Sequence, residues 1–222
     1  PPPTIITLGP LLERSLRGAL SLVSPVDCAG CGRPDIELCA PCRAKLRAAP
    51  LVSMLTDGTP FVSGLEYSGV VRDVVLAFKQ SGRWRLGREL APALAAAVAE
   101  IGAGGCRVLA VPSSPAGLRR RGYDPVELLV KATGEVPCRP GLRILRSSGA
   151  QKAKSRSERL RSRVGALRCS PRVAGCRVIV VDDVSTSGAT LVEAARAARA
   201  AGAEVVGAAC VAATPLASEA QA

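Results

Sequence analysis

Val178-Ile179-Val180-Val181-Asp182-Asp183-Val184-Ser185-Thr186-Ser187-Gly188-Ala189-Thr190 is the stretch on which the fold turns. Four β-branched residues in a row, Val178 to Val181, predict a strand buried on both faces, as in a parallel sheet. Asp182 and Asp183 then fall at its carboxyl edge, where open α/β sheets bind ligands. Ser185, Thr186, Ser187, Gly188, Ala189 and Thr190 supply hydroxyls and close-approaching backbone N–H groups. They lead into the Ala-rich helical run Leu191 to Ala201, whose N-terminus suits a phosphate because its N–H groups are unpaired and its dipole is positive. Carboxylates beside a phosphate cradle describe a site for a phosphorylated sugar.

Outward from this stretch, strands and helices alternate. Strands are expected at Phe61 to Tyr67, Arg107 to Val111, Leu142 to Leu145, Arg177 to Val181 and Glu204 to Ala212. Helices are expected at Gly69 to Lys79, Leu86 to Glu100, from Asp124 and Pro125 onward, at Ser157 to Arg163 and at Leu191 to Ala201. This order implies an α/β fold, a parallel sheet with right-handed crossovers flanked by helices. The main domain is read as 61–216, with a tail at 217–222. Residues 48–60, rich in Pro, Gly and Thr, read as a linker. Residues 146–155 have the Ser, Gly, Lys and Gln content of a mobile loop.

The chain of 222 residues carries a formal charge of +12, concentrated between Arg139 and Arg172, where eleven Lys or Arg face a single acid, Glu158. Such a surface attracts polyanions, and composition does not separate a pyrophosphate from a nucleic-acid backbone. Two Tyr, two Phe and one Trp leave little platform for base stacking. With no His, imidazole is removed as base, ligand and pH switch, so chemistry must rest on carboxylates, Lys, Arg, hydroxyls, thiols or a metal. No run approaches the ~20 apolar residues of a membrane span. Residues 1–27 read as an N-terminal amphipathic helix, with Leu8, Leu11, Leu12, Leu16, Ala19, Leu20 and Val23 at helical spacing. No signal peptide is evident, so a cytoplasmic location is expected. The first residue is Pro1, not Met, which leaves completeness of the N-terminus open.

Cys28, Cys31, Cys39 and Cys42 form C-x2-C-x7-C-x2-C, and the other five cysteines are scattered. Two C-x2-C turns can complete the tetrahedral all-sulfur shell that structural Zn²⁺ prefers. Gly30 and Gly32 ease the first turn and Pro41 stiffens the second. The expectation is a small four-cysteine zinc module at 28–47, with two disulfides or unligated thiols as the alternatives. A Walker A loop is missing, as is G-x-G-x-x-G after a strand, so neither a P-loop triphosphatase nor a Rossmann dinucleotide site is supported.

The two C-x2-C pairs, Tyr67 to Lys79 (YSGVVRDVVLAFK), Val111 to Asp124 (VPSSPAGLRRRGYD), Gln151 to Arg159 and VDDVSTSGAT occur in the order of a ComF family protein. The chain resembles that family over residues 10 to 213. The resemblance implies a type I phosphoribosyltransferase-like domain behind an N-terminal zinc segment. It further implies that Asp182 and Asp183, the catalytic pair, face the ribose hydroxyls of phosphoribosyl pyrophosphate, directly or through Mg²⁺. Ser185 to Thr190 would hold the 5′-phosphate. Val111 to Ser114, with Pro112 and Ser113, would form the pyrophosphate loop, and Lys79, Arg119, Arg121, Arg156 and Arg159 the cations around the leaving group. Three positions depart from the family pattern: Ser187 for Thr, Asp124-Pro125 for Asn-Gln, and Ser162 for Asn. Two functions stay open. One is transfer of ribose 5-phosphate to an acceptor that the sequence does not reveal. The other is a DNA-uptake role, with competence proteins as partners and single-stranded DNA gripped by the 139–172 segment.

Overall fold

The computed structural model describes residues 26–102, 104–145 and 165–214. The N-terminal segment, the helix read at Ser157 to Arg163 and the tail lie outside the described residues, as do Arg156 and Arg159. Among the described residues there are seven strands: β1 (Leu51–Met54), β2 (Pro60–Glu66), β3 (Arg107–Ala110), β4 (Leu142–Ile144), β5 (Leu167–Cys169), β6 (Arg177–Ser185) and β7 (Glu204–Ala213). The helices are α1 (Ala40–Ala44), α2 (Gly69–Gln80), α3 (Gly87–Glu100), α4 (Pro115–Arg121), α5 (Pro125–Thr133) and α6 (Ala189–Ala200).

Five strands form one sheet in the order β1-β2-β7-β6-β3. All neighbours run parallel except the antiparallel edge pair β1–β2. Side chains alternate across this sheet, as a period of two requires. Ile179, Val181, Ala209 and Val211 join a layer with α2, α3 and α5, which also takes in Cys28, Leu38, Cys39, Cys42 and Leu46. Val178, Val180, Ala208 and Cys210 face the opposite way, against α6 and β5. The β-branched run of β6 is therefore fully buried, because helices cover both of its faces.

Three expectations need correction. The stretch 48–60 is not a bare linker, since β1 lies inside it and pairs with β2 from Leu51↔Ser63 to Met54↔Pro60. Its turn residues, Asp57, Gly58 and Thr59, close a hairpin, and a strand this short leaves little pattern to read. The strand at Leu142 does not enter the main sheet. It pairs antiparallel with β5, which carries no periodic signal of its own, in a separate hairpin. The signature strand does not stop at Val181 but runs through both aspartates to Ser185, because β7 continues beside it as far as Ala213.

Helix ends follow the local chemistry. Ser114 Oγ accepts from Gly117 N at 3.1 Å and Pro115 sits in the first turn, while Gly122 closes α4 with φ +77°. Asp124 caps α5 through Val126 N (3.0 Å) and Glu127 N (3.3 Å). Gly64 is required for a different reason: a Cβ there would lie 2.0 Å from Ala93 O on α3. Backbone cannot yield as a side-chain tip can, so Gly64→Ala should cost about 3 kcal/mol. A lower urea midpoint at unchanged slope would register it.

Candidate functional site

Register decides where the site opens. The β3–β6 pairing ends at Ala110↔Val181, with one further bond from Val111 N to Val181 O (2.9 Å). From Asp182 to Ser185, β6 pairs with β7 alone. The chain after β3 turns away through Val111 to Ser114 into α4, and a cavity of about 840 Å³ fills the gap. It lies outside the carboxyl ends of adjacent parallel strands, the position at which open sheets take ligands. Its lining includes Lys79, Pro112, Ser113, Arg121, Asp182, Asp183 and all of Ser185 to Thr190.

Asp183 is 6% exposed and its Oδ1 accepts from Lys79 Nζ at 3.0 Å and from Val184 N at 2.7 Å. Asp182 accepts from Asp183 N at 2.8 Å. Burial, reinforced by the neighbouring Asp183 charge, holds the Asp182 carboxyl well above the usual carboxylate range, against the pull of the Asp183 N–H and Lys79. Lys79 comes from the last turn of α2, where Tyr123 Oη donates to the Phe78 carbonyl and packs its ring 5.8 Å from Phe78.

The loop after the acidic pair is held from behind. Ser185 O accepts from Thr214 N (3.0 Å), and Thr186 O from Thr214 Oγ1 (2.9 Å). Gly188 turns the chain into α6 with φ +71°, and a Cβ there would meet Leu55 at 2.9 Å. Ala189 then starts the helix, two residues earlier than the sequence pattern suggests, so the first turn's N–H groups and the positive dipole end lie at the cavity.

On the opposite rim, Asp124 Oδ2 accepts from Ser113 N at 2.8 Å, and Arg121 Nη2 donates to Ser113 Oγ at 2.9 Å. Arg121 Nε is buried without a partner among the described residues. Arg119 is exposed and does not line the cavity. Two residues apart on a helix point about 160° apart, so the two arginines cannot both face inward. Glu193, absent from the sequence-derived site, also lines the cavity and is 4% exposed. Its one signal was an acid on the core-facing side of an Ala-rich helix.

Away from the cavity, the Sγ atoms of Cys28, Cys31, Cys39 and Cys42 lie within 4.8 Å of one another. Three of the four residues are buried, and none of these thiols is in a disulfide. Burial raises the Cys28 thiol, but N–H donors from Cys39, Gly30 and Cys31 overcome it and bring the value to about 6. Burial and the neighbouring thiols push Cys42 up to about 12. Four thiolates cannot share this space without a cation, and the donor set could hold a metal ion. Gly30 is fitted against the group, since a Cβ would lie 2.8 Å from Cys42 Sγ. The module is fastened to α3 by a two-pronged Arg43–Glu89 pair, both contacts at 2.9 Å.

The family model described as phosphoribosyl transferase domain matches residues 116–220, a little under half of the chain. The fold itself is mixed α/β, a mostly parallel sheet flanked by helices with the four-cysteine cluster toward its N-terminal end. The match supports phosphoribosyl transfer as the general class of activity. Among solved structures, one titled as the allosteric regulatory enzyme of purine biosynthesis is 26% identical with a TM-score of 0.37, over 60% of this chain and 26% of that one. The present chain thus spans about a quarter of that protein's length. Another, orotate phosphoribosyltransferase of Mycobacterium tuberculosis H37Rv with Fe(III) dicitrate, is 18% identical with a TM-score of 0.35, over 76% and 79% of the two chains. Among curated proteins there is no significant match.

A raised Asp182 carries a stability consequence. Between the unfolded and folded values the native state binds the extra proton, so stability falls as pH rises through that window. Asp182→Asn should therefore be more stable than the parent at neutral pH in chelator, with the advantage vanishing below the ordinary carboxylate range. Urea titrations across pH measure it, and equal midpoints at neutral pH would contradict it.

Proposed function

We propose that this chain binds phosphoribosyl pyrophosphate with Mg²⁺ and transfers its ribose 5-phosphate unit to an acceptor, as a ComF-like protein of the cytoplasm. The observation that carries this reading is the joint placement of Asp182–Asp183, the Ser185 to Thr190 loop and the Ser113–Arg121 rim around one cavity. In this reading the helix N-terminus and hydroxyls take the 5′-phosphate, and the two carboxylates accept from the ribose hydroxyls or hold a hard cation. Mg²⁺ would supply charge neutralisation for the departing pyrophosphate. Pyrophosphate departure leaves positive charge on the ribose, so the site must stabilise charge and position a nucleophile more than supply one. Lys79, bound to Asp183 at 3.0 Å, could exchange that partner for the leaving group; Arg121, lining the same cavity, has an Nε without a partner among the described residues. Arg156 and Arg159 are assigned the same task from the resemblance alone, and Arg119, being exposed, is its weakest member.

The four cysteines are assigned a structural Zn²⁺, because an all-thiolate, mostly buried set with no fifth ligand among the described residues suits a closed site. A second reading, a single-stranded-DNA-binding role in DNA uptake, is favoured by one observation. Arg143 and Arg168 are direct cross-strand partners on the β4–β5 hairpin, and both are exposed. Like charges placed opposite each other destabilise a hairpin, and a phosphate between them would reverse that sign. Arg139 and Arg172 flank the same hairpin. No helix of the described residues is long and apolar enough to cross a membrane.

Calorimetry with phosphoribosyl pyrophosphate and Mg²⁺ tests the first reading. Saturable binding is expected, weakened about 100-fold or more in the Asp182→Asn/Asp183→Asn double variant, since two charge-assisted contacts are lost. Heat-free titration of folded protein at saturating donor would overturn it. The DNA reading expects oligonucleotide binding that falls steeply with salt, and salt-indifferent or absent binding removes it. Metal analysis should give one zinc per chain, and Cys39→Ser should abolish it; a metal content near zero in metal-replete, reducing conditions counts against the assignment.

A further inference from the structure

Glu193 and Arg196 form an ion pair in the second turn of α6, with Arg196 Nε to Oε2 at 2.7 Å and Nη2 to Oε1 at 2.9 Å. The pair does more than neutralise itself. Glu193 Oε1 also accepts from Leu167 N at 3.0 Å, and Arg196 Nη2 also reaches Leu167 O at 3.4 Å. On the other side of the hairpin, Leu145 N donates to Ala166 O (2.9 Å), and Leu167 stands opposite Ile144. The N–H and C=O of Leu167 face the open edge of β5, where a neighbouring strand would ordinarily supply one acceptor and one donor. The carboxylate and guanidinium supply that acceptor and donor.

We infer that Glu193 and Arg196 act as a surrogate strand that positions the β4–β5 hairpin as a wall of the donor site, an inference that rests on the proposed donor-binding function. Ile144, Ala166 and Leu167 line the cavity, and the loop that begins α6 lines it from the other side. The pair thus fixes the distance between two walls of one cavity through a single helix. Glu193 is a positioning residue and not a catalytic one: its carboxylate oxygens are taken up by Arg196 and Leu167. Burial would raise its carboxyl, but these bonds, with a further one from the Gly165 backbone, hold it below the usual carboxylate range. A buried carboxylate kept ionised in this way requires all of its partners.

The test uses the full chain and two variants, Glu193→Gln and the charge-conserving Arg196→Lys. Three quantities are read: donor affinity with Mg²⁺ by calorimetry, inorganic phosphate affinity by NMR titration, and exchange of the Leu167 amide. Both variants should weaken donor binding about tenfold and speed Leu167 exchange, with phosphate affinity unchanged within about twofold because the loop at the start of α6 does not depend on the hairpin. Lys should rescue less than its charge implies, since it lacks the planar fork that reaches carboxylate and carbonyl together. Unchanged donor affinity with faster Leu167 exchange would overturn the positioning role, as would an equal loss of donor and phosphate affinity, which marks general loosening of α6. If the parent binds no donor, the donor-site reading fails and the positioning role with it. Leu167 exchange then still decides whether the surrogate-strand contact exists.

Discussion

Strand β3 pairs with β6 only as far as Val181, while β6 continues to Ser185, and this difference in length is the constraint on which the site depends. Had β3 run on, the Asp182 to Ser185 segment would be one more sealed interior strand. Because β3 turns away at Val111, one edge of β6 keeps its backbone and side chains facing a cavity while β7 holds the other edge rigid. Asp182 to Ser185 thus face the cavity from a strand, and Thr186 to Gly188 from the turn that follows it. The layers on either side, with α2, α3 and α5 on one face and α6 with the hairpin on the other, serve to hold that asymmetry.

The electrostatics follow from the same geometry. Two adjacent carboxylates at the end of a buried strand repel each other, and among the described residues the cation bonded to the pair is Lys79, through Asp183. Among the described residues Asp182 has one backbone donor, Asp183 N, and its carboxyl is raised. The arrangement is poorly balanced without a ligand and better balanced with a cation or with hydroxyls to accept from.

Much of this was legible in the residues because the carrying signals are local and strong. The run Val178 to Val181 could only be an interior strand, and Asp124-Pro125 could only begin a helix. The C-x2-C pairs also fall where their spacing puts them, with the four sulfurs gathered. What escaped was nonlocal. Strand β1 exists because β2 offers it an edge, and β5 because β4 does. The extension of β6 to Ser185 depends on the length of β7. Helix α4 was missed for a different reason: its Ser114-Pro115 start and Gly122 stop were present, but its seven residues were too few to show a period. Glu193 gave little more than an acid on the core-facing side of a helix, because the partners that explain a buried acid lie 26 residues away in the chain and on the next helical turn.

Asp124 gathers three bonds onto one side chain, two into the start of α5 and one to the N–H of Ser113. The rim of the cavity is therefore hinged to the helix layer and has no slack of its own. A ligand that displaced Ser113 by a fraction of an ångström would have to drag the first turn of α5, and with it Val126, Leu129 and Val130 in the buried layer. Stiffness at that rim favours a ligand whose shape already matches the turn. On this side the cavity behaves as a mould.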